Sequence, residues 1–245
     1  MRPSLHVPRA PMMSPGPGAA QFSRHPDAAM CGIVAVFDDQ LSAEEIQVLT
    51  VQLTMRLQHR GPDEVGYHGG EGFGLGHARL SIMDPEAGKQ PLVSTATGAA
   101  VIHNGEIYNH AQLRDEWRGV RQAAGAEPYA FTCGSDSEAV LPLFEDLTPV
   151  EMAAKLDGMF GIVAVSADGK RLVAVRDPVG IKPLYRGWSR DGGRVIIAWA
   201  CRWSHKPLPP TQRLVHGARR PLRHARALGY TVAPIARRGH DDFGR

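Results

Sequence analysis

The stretch that most constrains this chain is Met30-Cys31-Gly32-Ile33-Val34-Ala35-Val36-Phe37. Its continuous apolar run reads as a buried strand, and a polar, proline-rich segment precedes it. The strand opens on a thiol. A cysteine at the start of a strand, once it is a new N-terminus, can carry its own base. The thiol is then the nucleophile and the α-amino group accepts its proton. An α-amino group has a pKa of about 7.7–8.0, so a useful fraction is neutral at cellular pH. The octapeptide by itself favours a second reading, in which Cys31 is a small buried hydrophobe.

The 245 residues allow one large or two small domains, and a hydrophobic content of 43% supports a globular core. The cysteines, Cys31, Cys133 and Cys201, are odd in number and form no CxxC pair. That argues against a disulfide framework and fits a reducing compartment, the cytoplasm. No HExxH-type spacing occurs, so no metal site is expected. No apolar run reaches the roughly 18 residues of a membrane span. The net charge of +3 hides an asymmetry: residues 199–245 hold nine Arg and one Lys against two Asp. Such a tail can suit nucleic acid. This one has neither aromatic interleaving nor helical periodicity, so no nucleic-acid partner is expected.

Residues 1–29 contain six Pro, three Arg and one acid, without an apolar h-region. They are expected to be a disordered extension that the mature protein lacks. After the strand at 31–37, Ser42-Ala43-Glu44-Glu45 forms a capping box. It opens a helix with the stripe Ile46, Leu49, Leu53 and Leu57. That helix ends near Gln58, ahead of the turn signal Arg60-Gly61-Pro62-Asp63. Strands are predicted from Phe73 to Leu80 and from Ala99 to His103, followed by a tight turn at Asn104-Gly105. Asn109 to Trp117 predicts a short helix. Ser135-Asp136-Ser137-Glu138 predicts a second capping box, with a helix through Val140, Leu141 and Phe144. Strands at Met159–Ser166 and Arg171–Arg176 are joined by the hairpin signal Asp168-Gly169. Val195 to Ala198 begins one more. Arg, Ala, Pro and Gly fill 24 of the 47 positions from 199 to 245, and no regular structure is expected there.

Taken in order, several strings carry a resemblance. They are Met-Cys-Gly-Ile-Val at 30–34, His-Arg-Gly-Pro-Asp at 59–63, Gly-His-Ala-Arg-Leu-Ser-Ile at 76–82 and Gly-Lys-Gln-Pro-Leu at 88–92. Asn-Gly-Glu-Ile-Tyr-Asn at 104–109, Gly-Ser-Asp at 134–136, Asp-Gly-Met-Phe at 157–160 and Arg-Asp-Pro-Val-Gly-Ile-Lys-Pro-Leu-Tyr at 176–185 complete the set. Over about residues 30–198 the chain resembles the glutaminase domain of glutamine-hydrolysing asparagine synthetases, a class II (N-terminal-nucleophile) glutamine amidotransferase. The resemblance implies an α+β fold of the N-terminal-nucleophile hydrolase type, with two stacked antiparallel sheets between helix layers. It also implies hydrolysis of the glutamine side-chain amide to glutamate and ammonia.

By that resemblance Cys31 is the nucleophile. The Asn104 side chain and the Gly105 backbone amide hold the oxyanion. Arg79 takes the α-carboxylate of glutamine, and Asp136 after Ser135 takes its α-ammonium. Leu80, Ser81 and Ile82 complete the glutamine-binding set, and Glu106 enters it mainly through its backbone. The mechanism needs no histidine, so His59, His77 and His103 are expected to be structural or loop residues. The glutaminase part needs no cofactor and no metal. ATP and Mg belong to the synthetase domain, whose Ser-Gly-Gly-x-Asp-Ser loop is not found here.

Two departures stand out. The mechanism needs a free amine on Cys31, so the expected true start is Met30, subsequently trimmed, or else residues 1–29 are cleaved. From Trp199 onward the family pattern stops, and a frameshift near Ala198 is expected, leaving an irregular basic tail in place of the synthetase half. Expected partners are glutamine and a second copy in a homodimer, with neither nucleic acid nor membrane. Two other readings stay open: the glutaminase domain of another class II amidotransferase, and a non-catalytic remnant.

Overall fold

The computed structural model describes residues 31–80, 88–125, 127–188, 194–198 and 231–234. The apolar run at the start becomes strand β1, Gly32–Asp38, with every residue buried. Successive side chains of a strand point to opposite faces, so β1 serves two cores at once. Ile33, Ala35 and Phe37 face one way, and Val34 and Val36 the other.

β1 is the middle of a five-stranded antiparallel sheet. Its order is β2 (Glu64–Gly70), β3 (Phe73–Arg79), β1, β9 (Arg194–Ala198), β8 (Tyr185–Trp188). The second five-stranded sheet, also antiparallel, runs β10 (Thr231–Pro234), β7 (Leu172–Arg176), β6 (Gly158–Val165), β5 (Ala100–Ile107), β4 (Leu92–Val93). Between the sheets lies one apolar layer, in which Ile33, Phe37, Phe73 and Leu75 meet Ile102, Val163, Val165 and Leu172. On the outer face of the first sheet, Leu49, Leu53 and Leu57 pack against Val34, Val36, Ile196 and Ala198. Leu49 and Leu53 stand on helix α1, Ala43–Met55, and Leu57 follows it. The outer face of the second sheet is covered by α2 (His110–Ala123), α3 (Val140–Asp146) and α4 (Pro149–Lys155) through Leu113, Trp117, Leu143, Phe144 and Met152. The result is helix, sheet, sheet, helix, the stacking the resemblance implied. Burying one such aliphatic or aromatic side chain contributes about 1.5–3 kcal/mol, so each of the three apolar layers is a substantial stabiliser.

Local signals were honoured where nothing distant competed. Ser42 Oγ accepts from the Glu45 N–H at 3.3 Å, and Glu45 Oε2 accepts from the Ser42 N–H at 2.9 Å, closing the predicted capping box. At Asp168-Gly169 the chain turns with Gly169 at φ 67°, and the Ser166 N–H reaches Arg171 O at 2.9 Å.

Five expectations are corrected. The first helix ends at Met55, not Gln58, and tight turns carry the chain on to Arg60 while Leu57 stays buried. The helix after Asn109 continues beyond Trp117 to Ala123. The Asn104-Gly105 turn does not exist. β5 runs straight through it to Ile107, with Asn104 opposite Gly161 and Gly105 opposite Phe160 on β6. The box at Ser135 is only half made: Ser135 Oγ accepts from the Ser137 N–H at 3.3 Å over a single 3₁₀ turn, Asp136–Ala139, while Glu138 is drawn elsewhere. The stretch 199–245, for which no regular structure was expected, supplies β10, paired with β7 from Thr231 opposite Arg176 to Pro234 opposite Val173. Its other residues, residues 1–30 and the segment 81–87 fall outside the described residues.

Candidate active site

The antiparallel pairing of β1 with β3 sets Gly32 opposite Ala78, which brings Cys31 beside Arg79 and Leu80. The half-buried Cys31 Sγ accepts from the Leu80 N–H at 3.4 Å and lies 3.6 Å from Leu80 O. From the other sheet β5 contributes His103 to Glu106, and the 3₁₀ turn contributes Asp136. These groups enclose a cavity of about 170 Å³. Drug-sized pockets run to roughly 300–1,000 Å³, so this one suits a ligand the size of one amino acid. Its walls include Cys31, Arg79, Leu80, Asn104, Gly105, Glu106 and Asp136, seven residues singled out from sequence. Ser81 and Ile82 lie outside the described residues.

Burial pushes the Cys31 thiol above its ordinary value, the Leu80 N–H and the Arg79 guanidinium pull it back, and Asp136 raises it again. The resting thiol is therefore protonated and needs a base. Asn104 is buried, and its Nδ2 has no hydrogen-bond partner. An unpaired buried amide donor costs about 1–3 kcal/mol, so an acceptor arriving beside it gains correspondingly. Gly105 sits at φ 141°, and a Cβ placed on it would lie 1.9 Å from Met159 O. No other residue fits that approach of β5 to β6. The glycine that reads as a turn signal is a strand residue pressed against its neighbour.

Asp136 is buried and fixed from several sides. Its Oδ2 accepts from the Ile107 N–H at 2.8 Å, and Ser137 Oγ lies 3.4 Å from Oδ1. The loop carrying it is clamped by Arg114 of α2, which donates to Cys133 O at 3.0 Å and Ser135 O at 2.5 Å while its guanidinium lies 4.3 Å from the centre of the Phe131 ring. Glu138 completes the clamp, accepting from the Thr132 N–H at 2.6 Å and the Cys133 N–H at 3.0 Å. That is why it leaves its capping box. Arg79 is buried with Nη1 3.7 Å from Glu64, whose other oxygen lies 3.0 Å from Lys89.

The cavity also holds residues that sequence reasoning gave no role in the site: His77, Gln90, His103, Ser137, Met159 and Lys182. The His77 Nε2–H donates to His103 O at 3.3 Å. Gln90 accepts from the His103 N–H at 2.6 Å and donates to Ser137 Oγ at 3.1 Å. His103 Nδ1 lies 2.8 Å from Ser137 Oγ and 3.9 Å from Asp136 Oδ2. Burial holds His77 down at about 3, so it is neutral at cellular pH. His103 is also lowered by burial, against the pull of Asp136. His59 is remote, an exposed ring 3.0 Å from Arg56 O. The signal for Gln90 and Lys182 was present, since both lie in strings quoted for the resemblance. Among the described residues no group of three or more His, Cys, Asp or Glu could hold a metal ion.

Comparison with known proteins settles the kinship of this arrangement. The family described as a glutamine amidotransferase domain matches residues 30–203. The chain belongs to the class II glutamine amidotransferases. Its curated relatives include glutamine-hydrolysing asparagine synthetase 3 of Arabidopsis thaliana, 40% identical over 163 residues, which are 66% of this chain and 26% of that protein. The Zea mays asparagine synthetase is likewise 40% identical over 167 residues, with the same shares. The chain thus spans about a quarter of the length of the curated relatives it matches. Among solved structures, the glutamine phosphoribosylpyrophosphate amidotransferase of B. subtilis is similar with a TM-score of 0.50 at 20% identity, over 69% of this chain and 41% of that one. This likeness confirms the N-terminal-nucleophile hydrolase fold of the amidotransferase domain.

Proposed function

We propose that this amidotransferase domain hydrolyses the side-chain amide of glutamine, with Cys31 as nucleophile. The observation that carries the reading is the convergence, in one amino-acid-sized cavity, of a thiol, an unpaired Asn104 amide donor, a buried guanidinium and a buried carboxylate. Arg79 takes the α-carboxylate of glutamine through its two-pronged fork, and Asp136 takes the α-ammonium. Leu80 and Glu106 line the same walls.

The α-amino group of Cys31 removes the thiol proton, and the thiolate attacks the amide carbon. The carbonyl oxygen becomes an oxyanion held by Asn104 Nδ2 and the Gly105 N–H. The ammonium formed on Cys31 gives its proton to the leaving nitrogen, and ammonia departs as the tetrahedral species collapses to a thioester. Water, deprotonated by the same amine, attacks the thioester. The C–S bond breaks, the sulfur regains its proton, and glutamate leaves. No cofactor enters these steps.

The kinship with asparagine synthetases supports a finer reading. The ammonia serves amidation of aspartate, in a partner domain that would bring ATP and Mg. The free thiols Cys31 and Cys133 favour a reducing compartment, the cytoplasm. The test is glutamate release by protein beginning at Cys31, beside its Cys31→Ala variant. Loss of release in a variant that unfolds at the same urea concentration supports the reading. Unchanged release overturns it.

A further inference from the structure

Lys182 is a buried cation in the active-site cavity that amide hydrolysis, as derived above, leaves without a task. Its placement is built by the loop after β7. Asp177, itself buried, gathers four backbone N–H groups there. Its Oδ1 accepts from Gly180 at 2.5 Å and Ile181 at 2.9 Å, and its Oδ2 accepts from Lys182 at 3.0 Å and Phe160 at 3.3 Å. Gly180, at φ 77°, permits the tight turn this requires. The turn leaves Val179 and Ile181 exposed and sends Lys182 inward, where only 5% of it is accessible. Gly161 on β6 lies beside the lysine. A Cβ on it would lie 3.9 Å from Lys182 Cβ, and Gly161 is the register partner of Asn104. The lysine therefore starts beside β6, next to the register partner of Asn104, and lines the cavity that holds Cys31.

An ammonium is not buried without negative charge nearby. Burial pulls Lys182 down, while Asp177, the Cys31 sulfur when ionised, and Glu106 favour its charged form. Asp177 is engaged by the backbone N–H groups of the loop and Glu106 is exposed on β5, and the sulfur is the one reacting group among the three. The remaining charged and titratable groups around the cavity are Arg79 from β3, Asp136 from the 3₁₀ turn, and the buried His77 and His103. Arg79 offers a planar fork matched to a carboxylate, whereas a lysine offers a point charge suited to a single atom.

We propose that Lys182 is a positioning residue for the nucleophile: its ammonium favours and holds the thiolate of Cys31. No bond is made or broken by the lysine. The thiol proton still leaves to the α-amine or to water, and Lys182 makes the resulting anion less unfavourable in a buried site. The inference rests on Cys31 being the nucleophile of the proposed reaction.

The test is the pH dependence of Cys31 alkylation by iodoacetamide in the full chain, read peptide by peptide by mass spectrometry, with Cys133 as the internal reference. Alkylation follows the thiolate, and an opposite charge within a few ångströms lowers a thiol pKa by about 1–3 units. Lys182→Met is expected to move the midpoint of Cys31 alkylation up by about one unit and to slow alkylation below the midpoint about tenfold. The high-pH plateau and the Cys133 profile should stay unchanged. Lys182→Arg should restore most of the shift. An unmoved midpoint in Lys182→Met overturns the proposal, and so does an equal displacement in Lys182→Arg, which would make the role one of shape. If Lys182→Met loses cooperative unfolding, Lys182→Gln carries the same comparison. The readout needs no turnover, so it separates failure of this inference from failure of glutamine hydrolysis itself.

Discussion

Replacing Asn104 with alanine separates the catalytic use of this residue from its structural use. The side chain is buried, with 1% of the residue accessible, and its Nδ2 donor is unpaired in the resting protein. Truncation removes packing, which destabilises. It also removes a buried, unsatisfied donor whose burial costs about 1–3 kcal/mol, which offsets the loss. The expected net change in stability is within about 1 kcal/mol. In the transition state the balance is different, because the donor meets a developing negative charge in a site that excludes water. Loss of one such donor lowers kcat by about 10²–10³, equivalent to about 2.7–4 kcal/mol. An interaction made only in the transition state lowers kcat and kcat/KM together, so KM should hold. The assay is glutamate release against glutamine concentration by protein beginning at Cys31, paired with urea unfolding of the same preparation. A kcat within tenfold of the parent refutes the oxyanion assignment. A stability loss above about 3 kcal/mol, in the range of a broken buried core, refutes the argument that the donor is unpaired at rest.

Asp136→Asn keeps an acceptor for the Ile107 N–H but removes the charge, so KM for glutamine should rise about 10–100-fold with kcat little changed, and an unchanged KM in steady-state assays contradicts the ammonium role. Gly105→Ala puts a Cβ 1.9 Å from Met159 O at a φ of 141°, so urea unfolding should show a loss of about 2–6 kcal/mol, and less than about 1 kcal/mol would show that β5 and β6 are not held this closely. His77, held down at about 3 in the folded protein, binds a proton more readily when unfolded. Its contribution to stability is complete above pH 6.5 and is lost as pH falls from there toward 3, at up to about 1.4 kcal/mol per pH unit. His77→Gln should therefore flatten the acid side of the stability profile measured by urea unfolding, and an identical slope in both proteins contradicts a neutral buried imidazole.

The sequence made the site more legible than the fold around it. Cys31, Arg79, Asn104 and Asp136 sit in strings whose order is diagnostic, and they meet in one cavity. α1 was readable because its cap and apolar stripe agree and nothing distant competes for Ser42 or Glu45. Asn104-Gly105 was misread because a glycine at positive φ is the same letter in a hairpin turn and in a strand pressed against Met159 O. Glu138 was misread because a local cap is worth less than a site with two backbone donors and the Arg114 guanidinium. β2 carries three glycines in seven residues and no apolar alternation, so nothing in Glu64–Gly70 signals a strand until β3 is beside it. The capping box Thr148-Pro149-Val150-Glu151, by contrast, is a local signal that forms as written, with Glu151 Oε2 accepting from the Thr148 N–H at 3.0 Å.

The most direct trial of the account is covalent trapping. Protein beginning at Cys31 is incubated with a glutamine-shaped electrophile bearing a diazoketone in place of the amide, with and without excess glutamine, and the adduct is located by mass spectrometry. The account predicts one adduct, on Cys31, slowed by glutamine and formed in step with the loss of glutamate release. Modification of Cys133 instead, or labelling of Cys31 that glutamine does not slow, would contradict it.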